Sequence, residues 1–108
     1  MDNAIYGSAK AWVNMNVSSG TAVLRASYNV SSVTVVSASN YTINLTNALV
    51  DANGVLVGNG EWTNGVTNMG IVTLKAANLP TASAFPFQIY NASGSTTTSA
   101  YIGIIIIR

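Results

Sequence analysis

Asp51 and Glu61 are the acidic residues of this sequence that lie near enough along the chain to act as a catalytic pair. Glycoside hydrolysis needs two carboxyl groups beside the scissile bond, one of them kept protonated by a raised pKa. Both residues fall in predicted loops, and nothing around them in the sequence would raise either pKa. The chain has no His and no Cys, which excludes Ser-His-Asp and Cys-His systems and the usual zinc sites. We therefore expect no enzymatic activity, and a glycan-degrading enzyme is the least favoured hypothesis.

A tryptophan with amide neighbours offers a second kind of chemistry, the binding of a sugar. Trp62 lies beside Glu61 in a Gly- and Asn-rich stretch that also contains Asn59 and Asn64. An exposed indole can stack on the apolar face of a sugar, while amides and carboxylates bind its hydroxyl groups. The hypothesis is a glycan or receptor contact formed by these four residues. The alternative is ordinary burial of Trp62 against a neighbouring strand or subunit.

The segment Asp51-Ala52-Asn53-Gly54 resembles part of a calcium loop. It lacks the third oxygen ligand and the bidentate glutamate that such loops require. Asn-Gly is a strong turn signal, because glycine adopts positive φ without strain. We predict a turn with Gly54 at positive φ, preceded by one short helical turn over residues 47–53. No metal ion and no cofactor is expected.

Charged residues are few and scattered. They make up 6% of the 108 residues, with a net charge of +1, whereas a typical soluble domain has about 25%. The four cations stand singly in the sequence, so no basic stripe is available to a nucleic acid. The N-terminus has no signal-peptide pattern, and the longest apolar run, residues 104–107, is too short to span a bilayer. We expect neither nucleic-acid binding nor membrane insertion.

Turn-forming residues recur every eight to twelve positions, and the segments between them alternate between apolar and polar side chains. This spacing is typical of an all-β sandwich or barrel. It predicts one domain over residues 1–108, an antiparallel, jelly-roll-like β-sandwich of about eight short strands. The predicted strands cover residues 8–15, 21–28, 30–36, 41–46, 54–58, 68–76, 85–90 and 100–108.

Alternation also predicts which side chains face the core. The inner sets are Ala9, Ala11, Val13 and Met15 in the first strand, Ala22, Leu24, Ala26 and Tyr28 in the second, and Tyr41, Ile43 and Leu45 in the fourth. Lys10, Trp12 and Asn14 fall on the opposite face of the first strand. We therefore expect Trp12 at an interface or beneath a loop.

The last strand is apolar on both faces, since it ends in Ile104, Ile105, Ile106 and Ile107. A half-exposed strand would show polar residues at every second position. Two interpretations stay open: a central strand covered on both sides, or a strand with one face in its own core and the other at a subunit interface. The expected interface residues are Trp12, Ile104, Ile105, Ile106 and Ile107. Low charge agrees with a surface that copies of the chain cover, and we expect an oligomer.

Four motifs follow one another within residues 8–54: Lys-Ala-Trp-Val-Asn from residue 10, Arg-Ala-Ser-Tyr-Asn-Val-Ser-Ser from residue 25, Asn-Tyr-Thr-Ile-Asn-Leu from residue 40, and Ala-Leu-Val-Asp-Ala-Asn from residue 48. In this order they resemble a domain that recurs in bacteriophage tail-fibre and other virion proteins. The sequence departs from that pattern before Tyr41, where the usual aspartate and glycine are missing, and at Val50, where proline is common.

The resemblance implies a structural protein of the phage particle, a homotrimeric β-sandwich on the virion surface. Because the domain starts within eight residues of Met1, we expect a stand-alone module, either a head decoration or cement protein or a small fibre component. Its partners would be further copies of itself and another virion protein, such as the major capsid protein or a fibre component. The alternative is a receptor- or carbohydrate-binding module at the tip of a tail fibre, with a host-surface glycan as ligand.

Overall fold

The computed structural model describes residues 8–18, 21–37, 40–62, 69–73, 79–90 and 99–108. These residues contain eight strands and no helix. The strands are β1 (Ala9–Ser18), β2 (Thr21–Tyr28), β3 (Val30–Ser37), β4 (Asn40–Leu45), β5 (Val55–Trp62), β6 (Met69–Thr73), β7 (Ala84–Tyr90) and β8 (Ser99–Ile107). The predicted bounds are met within one residue except in three strands: β1 continues past residue 15 to Ser18, and β5 continues past Gly58 to Trp62. Residues 68 and 74–76 of the predicted sixth strand lie outside the described residues.

The strands are antiparallel and hydrogen-bond in the order β2-β1-β8-β5-β6-β7-β4-β3. This order forms two sheets because β6 takes part in both: Met69 and Gly70 pair with β5, whereas residues 71–73 pair with β7. We call β2-β1-β8-β5 the first sheet and β3-β4-β7 the second sheet. Strands β5 to β8 form a Greek key, in which β8 returns to lie beside β5. The prediction of an all-β antiparallel sandwich of about eight strands is confirmed.

The inner faces of both sheets bury a hydrophobic core. Alternation in β4 is as predicted, because Tyr41, Ile43 and Leu45 are all buried. The ring of Tyr41 packs against that of Phe87 on β7, with centroids 5.2 Å apart. The other buried apolar residues are Ala11, Val13, Met15, Val30, Leu49, Phe85, Ile89, Ile102, Ile104 and Ile106.

A β-bulge reverses the predicted faces at the start of β1. Ala9 pairs with Ile107 and Ala11 pairs with Ile106, so Lys10 is an extra residue between them. An extra residue interrupts the alternation of side chains. Lys10 is therefore buried, at 1% exposure, and Ala9 is exposed, which corrects the prediction for both residues.

A second β-bulge exchanges the inner and outer faces of the side chains at the end of β2. Asn14 pairs with Ala26 and Met15 pairs with Leu24, which leaves Arg25 as the extra residue on β2. Beyond this bulge the predicted parity no longer holds. Ala26 and Tyr28 therefore lie on the outer face of the first sheet rather than in the core; Ala26 is exposed, and Tyr28 is 36% exposed.

Asn29 forms the corner at which the chain leaves β2 and enters β3. Its φ of 58° lies in the left-handed region, which asparagine tolerates better than most residues. Its side-chain amide donates to the carbonyl oxygens of Lys10 and Asn47, at 3.1 and 3.0 Å. Its side-chain oxygen accepts from the backbone N–H of Asn47 at 2.7 Å. The corner is thereby fastened to β1 and to the residues that follow β4.

The segment between β4 and β5 is a loop without the predicted helical turn. Asp51 Oδ1 accepts the backbone N–H of Asn53 at 2.9 Å, which is the turn contact typical of aspartate. Gly54 is not at positive φ, so that prediction is wrong. The glycine is needed for space, because a Cβ atom there would lie 2.8 Å from Phe85 Cζ and 2.9 Å from Leu49 Cδ1.

Candidate functional site

The pairing of the first sheet brings four apolar side chains into line on its outer face. Trp12 of β1 pairs with Tyr28 of β2 on one side and with Ile105 of β8 on the other, and Ile105 pairs with Val57 of β5. Residues directly opposite each other in a sheet share a face and touch. We call these four residues the apolar row. Their exposed fractions are 36% for Tyr28, 39% for Trp12, 45% for Ile105 and 53% for Val57.

The apolar surface continues one step along the strands. Val55 pairs with Ile107, and Val55 is 57% exposed while Ile107 is half-buried. Both positions have the same parity as the apolar row and therefore share its face. The outer face of the first sheet thus presents neighbouring large apolar side chains where a solvated sheet carries polar ones.

Strand β8 has one face in the core and the other at the surface of the chain. Ile104 and Ile106 are 2% and 1% exposed and pack in the core of the chain itself, which corrects their assignment to a subunit interface. The physical reason is the two-residue repeat of a strand, which an all-isoleucine segment does not reveal. Ile105 and Ile107, with Trp12, remain available to an interface. Strand β8 is central in its sheet, between β1 and β5, but its outer face is exposed at Ile105 and half-buried at Ile107.

A groove of about 450 Å³ runs beside the apolar row. Its lining includes Trp12, Val57, Asn59, Gly103 and Ile105. Gly58 allows β5 to lie close to β8, because a Cβ atom there would meet the side chain of Ile104 and would be 2.5 Å from the carbonyl oxygen of Gly103. Gly103 has the same parity as Ile105, so its missing side chain leaves space on the outer face.

A second depression of about 220 Å³ adjoins the groove at Gly103 and has polar walls. We call it the Arg25 cleft, and its lining includes Asn14, Arg25, Asn59, Tyr101 and Gly103. The guanidinium of Arg25 donates to Asn14 Oδ1 from Nε at 3.0 Å and from Nη2 at 2.5 Å. The same guanidinium lies over the ring of Tyr101, 4.2 Å from its centroid. Two contacts therefore fix the position of this cation.

The four residues predicted to contact a glycan have different outcomes. Asn59 is exposed and lines both the groove and the Arg25 cleft. Glu61 and Trp62 belong to β5 rather than to a loop, and they pair with Tyr101 and Ser99. Their side chains, and all of Asn64, lie outside the described residues.

Arg25, Asn14 and Tyr101 were not singled out by the sequence. They stand on three strands, and the pairing of those strands brings them together. The spacing of these three residues along the sequence does not predict that they lie together.

The two carboxylates considered for catalysis lie at opposite ends of β5. Asp51 is held by Arg108, whose Nε lies 2.7 Å from Oδ1 and whose Nη2 lies 2.6 Å from Oδ2. Hydrogen bonds from Arg108 and from the N–H of Asn53 hold the pKa of Asp51 well below its usual value. Arg108 follows Ile107, which pairs with Val55, and six residues of strand, roughly 20 Å, separate Val55 from Glu61. A glycosidase pair lies within about 10 Å, so these residues do not form one.

The described residues contain no group of three or more His, Cys, Asp or Glu side chains placed to hold a metal ion. In the same part of the chain no helix is long and apolar enough to cross a membrane. No protein-family model, curated protein or solved structure matches this chain. The function is therefore inferred from the outer face of the first sheet and from the sequence resemblance.

Proposed function

We propose that this protein is a non-enzymatic structural component of a bacteriophage particle, a surface module that associates with copies of itself. The observation that carries the proposal is the apolar row, which lies exposed in the single chain. The phage assignment is supported by the ordered motifs of residues 8–54. Within that assignment we favour a head decoration or cement protein or a small fibre component, as a homotrimer that docks on another virion protein.

The size of the apolar surface supports self-association. The apolar row and Val55 together expose on the order of 400 Å², within the range of patches that mark interaction sites. Two copies that meet through this surface bury about 800 Å² together, whereas a stable interface buries roughly 1,200–2,000 Å². The apolar row is therefore the core of an interface, and the residues around it must form the rest of the contact.

Charge supports a second copy of this chain as the occupant. None of the four side chains of the apolar row is charged, so two rows can meet without burying an ion. The described side chains include four charged ones: Lys10, which is buried, Asp51 and Arg108, which pair with each other, and Arg25. Arg25 stands beside the row with Asn14, as a polar rim stands beside an apolar interface core.

Light scattering of two matched lysine variants tests self-association. Ile105→Lys places a charge in the middle of the apolar row and should reduce the mass to that of one chain, 11.2 kDa. Val36→Lys is the control, because Val36 is also exposed, at 59%, but lies on β3 of the second sheet. The control should keep the mass of the unmodified protein. An unmodified protein that remains a single chain at 100 µM, or equal effects of both variants, would refute the apolar row as the interface.

The location on a particle needs a separate experiment. Antibody raised against this protein should label virions of the phage that encodes it, with gold particles over the head or along a fibre in electron micrographs. Unlabelled virions, with the protein found in the lysate alone, would overturn the virion assignment and leave the test of self-association unaffected.

A further inference from the structure

We propose that the Arg25 cleft binds a saccharide that carries a carboxylate, such as a uronic acid unit. The cleft is formed within one chain, so the inference does not depend on self-association. It shares Asn59 with the contact that the sequence predicts around Trp62, but its polar end is formed by Arg25, Asn14 and Tyr101.

The guanidinium of Arg25 is the group that would bind the carboxylate. Asn14 Oδ1 accepts from two nitrogens of this side chain, Nε and Nη2. A guanidinium has five N–H groups, and the contacts of Arg25 with described residues use two of them. The contact with the ring of Tyr101 holds the guanidinium at the cleft. A fixed, planar cation is suited to a two-point contact with a carboxylate.

The rest of the surface fits a sugar ring better than a simple anion. Asn59 lies between the Arg25 cleft and the groove, and its amide can donate to and accept from hydroxyl groups. Tyr101 lines the same cleft and is 48% exposed, so its ring offers an apolar surface for the C–H face of a sugar. A ligand in the cleft therefore meets a cation and an aromatic ring, while Trp12 stays in the interface of the proposed assembly.

Nucleic acid is the less suitable anionic ligand. Phosphate backbones are bound by several cations in a row, and Arg25 is the exposed cation that the described part of the first sheet presents on its outer face. One guanidinium with amide and aromatic neighbours fits one carboxylate on a polyhydroxylated ring.

The test is a titration of the full chain with three probes, followed by amide chemical shifts in nuclear magnetic resonance spectra. The probes are a galacturonic acid tetramer, a neutral galactose tetramer and acetate. We expect the acidic tetramer to shift the amides of Asn14, Asn59 and Gly103 and to bind at least tenfold more tightly than either other probe. Binding should weaken as salt is added, because Arg25 is exposed.

Three variants locate the site. Arg25→Gln and Asn14→Asp should each weaken binding at least tenfold, the first by removing the cation and the second by giving it an internal carboxylate partner. Arg108→Gln lowers the net charge by the same unit as Arg25→Gln, at the end of β8 that is five residues from Gly103, and should leave binding within twofold. Circular dichroism and light scattering on the same samples show whether fold and assembly persist, so loss of binding with unchanged mass concerns the cleft alone.

Several outcomes would overturn the inference. Equal affinity for the neutral tetramer would exclude the carboxylate contact, and equal affinity for acetate would exclude the sugar contact. Equal weakening of binding by Arg108→Gln would make the effect one of overall charge. Absence of shifts with all three probes would show that the cleft binds none of these groups.

Discussion

Arg108 donates two hydrogen bonds to the carboxylate of Asp51, from Nε to Oδ1 and from Nη2 to Oδ2. This ion pair connects the residue after β8 to the loop between β4 and β5. The loop approaches β8 from the core as well, since Gly54 lies against Leu49, Phe85 and Ile106. The ion pair therefore closes the end of the sandwich at which β8 finishes. It also gives Arg108 a structural partner, beyond the gatekeeper role that an end-of-strand cation can have.

Acid should weaken this end of the molecule. The pKa of Asp51 is lower in the folded chain than its usual value of 3.8. The stabilisation is therefore fully present above that value and is lost as the pH falls below it, toward the folded-state pKa. Thermal melts between pH 7 and pH 2.5 should show a smaller loss of Tm in Asp51→Asn than in the unmodified protein. Arg108→Gln should behave like Asp51→Asn, and an unchanged pH profile in both variants would contradict the role of the pair.

The corner at Asn29 should be sensitive to two separable changes. Asn29→Gly keeps the positive φ but loses three side-chain hydrogen bonds, at a cost of about 2 kcal/mol. Asn29→Ala loses the same bonds and also strains the backbone, by roughly 1 kcal/mol more. Urea denaturation should therefore rank the free energies of unfolding as unmodified protein, then Asn29→Gly, then Asn29→Ala. An alanine variant as stable as the glycine variant would contradict the backbone strain that we expect at positive φ.

Neighbouring isoleucines of β8 should respond differently to truncation. Ile104→Ala removes a buried side chain and should lower the free energy of unfolding by about 2–5 kcal/mol. Ile105→Ala, on the outer face, should change the stability of a single chain by less than about 1 kcal/mol. Measuring both in the Val57→Lys background, in which we expect no assembly, keeps the comparison to one chain. Equal losses at both positions would mean that the outer face is covered within the chain.

Substitution by alanine should destabilise the protein to different degrees at Gly54 in the loop before β5, at Gly58 in β5 and at Gly103 in β8. In Gly58→Ala the new Cβ atom would meet the backbone oxygen of Gly103 at 2.5 Å, so β5 and β8 must separate. In Gly54→Ala it meets side chains at 2.8 and 2.9 Å, and overpacking of this kind costs about 1–3 kcal/mol.

Gly103→Ala is the control and should destabilise the protein least. Its Cβ atom would lie 3.2 Å from Asn59 Oδ1, a side-chain atom that can move. Thermal melts should place Gly103→Ala nearest the unmodified protein. The same variant narrows the junction of the groove and the Arg25 cleft and should weaken binding of the acidic tetramer. A fully stable Gly58→Ala protein would contradict the close approach of β5 and β8.

The sequence predicts the strands well because turn residues and alternation are local properties. Tyr41, Ile43 and Leu45 show this, since each is flanked by polar residues and each is buried. The bulges at Lys10 and Arg25 were missed because an extra residue is visible only against the partner strand. In β8 the apolar run hides which isoleucines face the core.

The apolar row and the Arg25 cleft depend on the register between strands that are distant in sequence. Trp12 of β1 pairs with Ile105 of β8, and the sequence around either residue does not predict that pairing. The sequence did identify Trp12, Ile105 and Asn59 as residues of interest. It could not indicate that Gly103 lies between Asn14 and Asn59 and leaves a cleft there.

The central place of β8 has a consequence during protein synthesis. Strand β8 pairs on one side with β1, from the beginning of the chain, and on the other with β5. A ribosome releases β1, β2 and β5 well before residues 99–107, so the first sheet lacks its middle strand until β8 has been synthesised. Pairings between such distant segments form slowly, and unpaired strand edges can join other chains in the meantime. The first sheet can therefore close only after β8 has left the exit tunnel, and β1 and β5 stay without their shared neighbour until then.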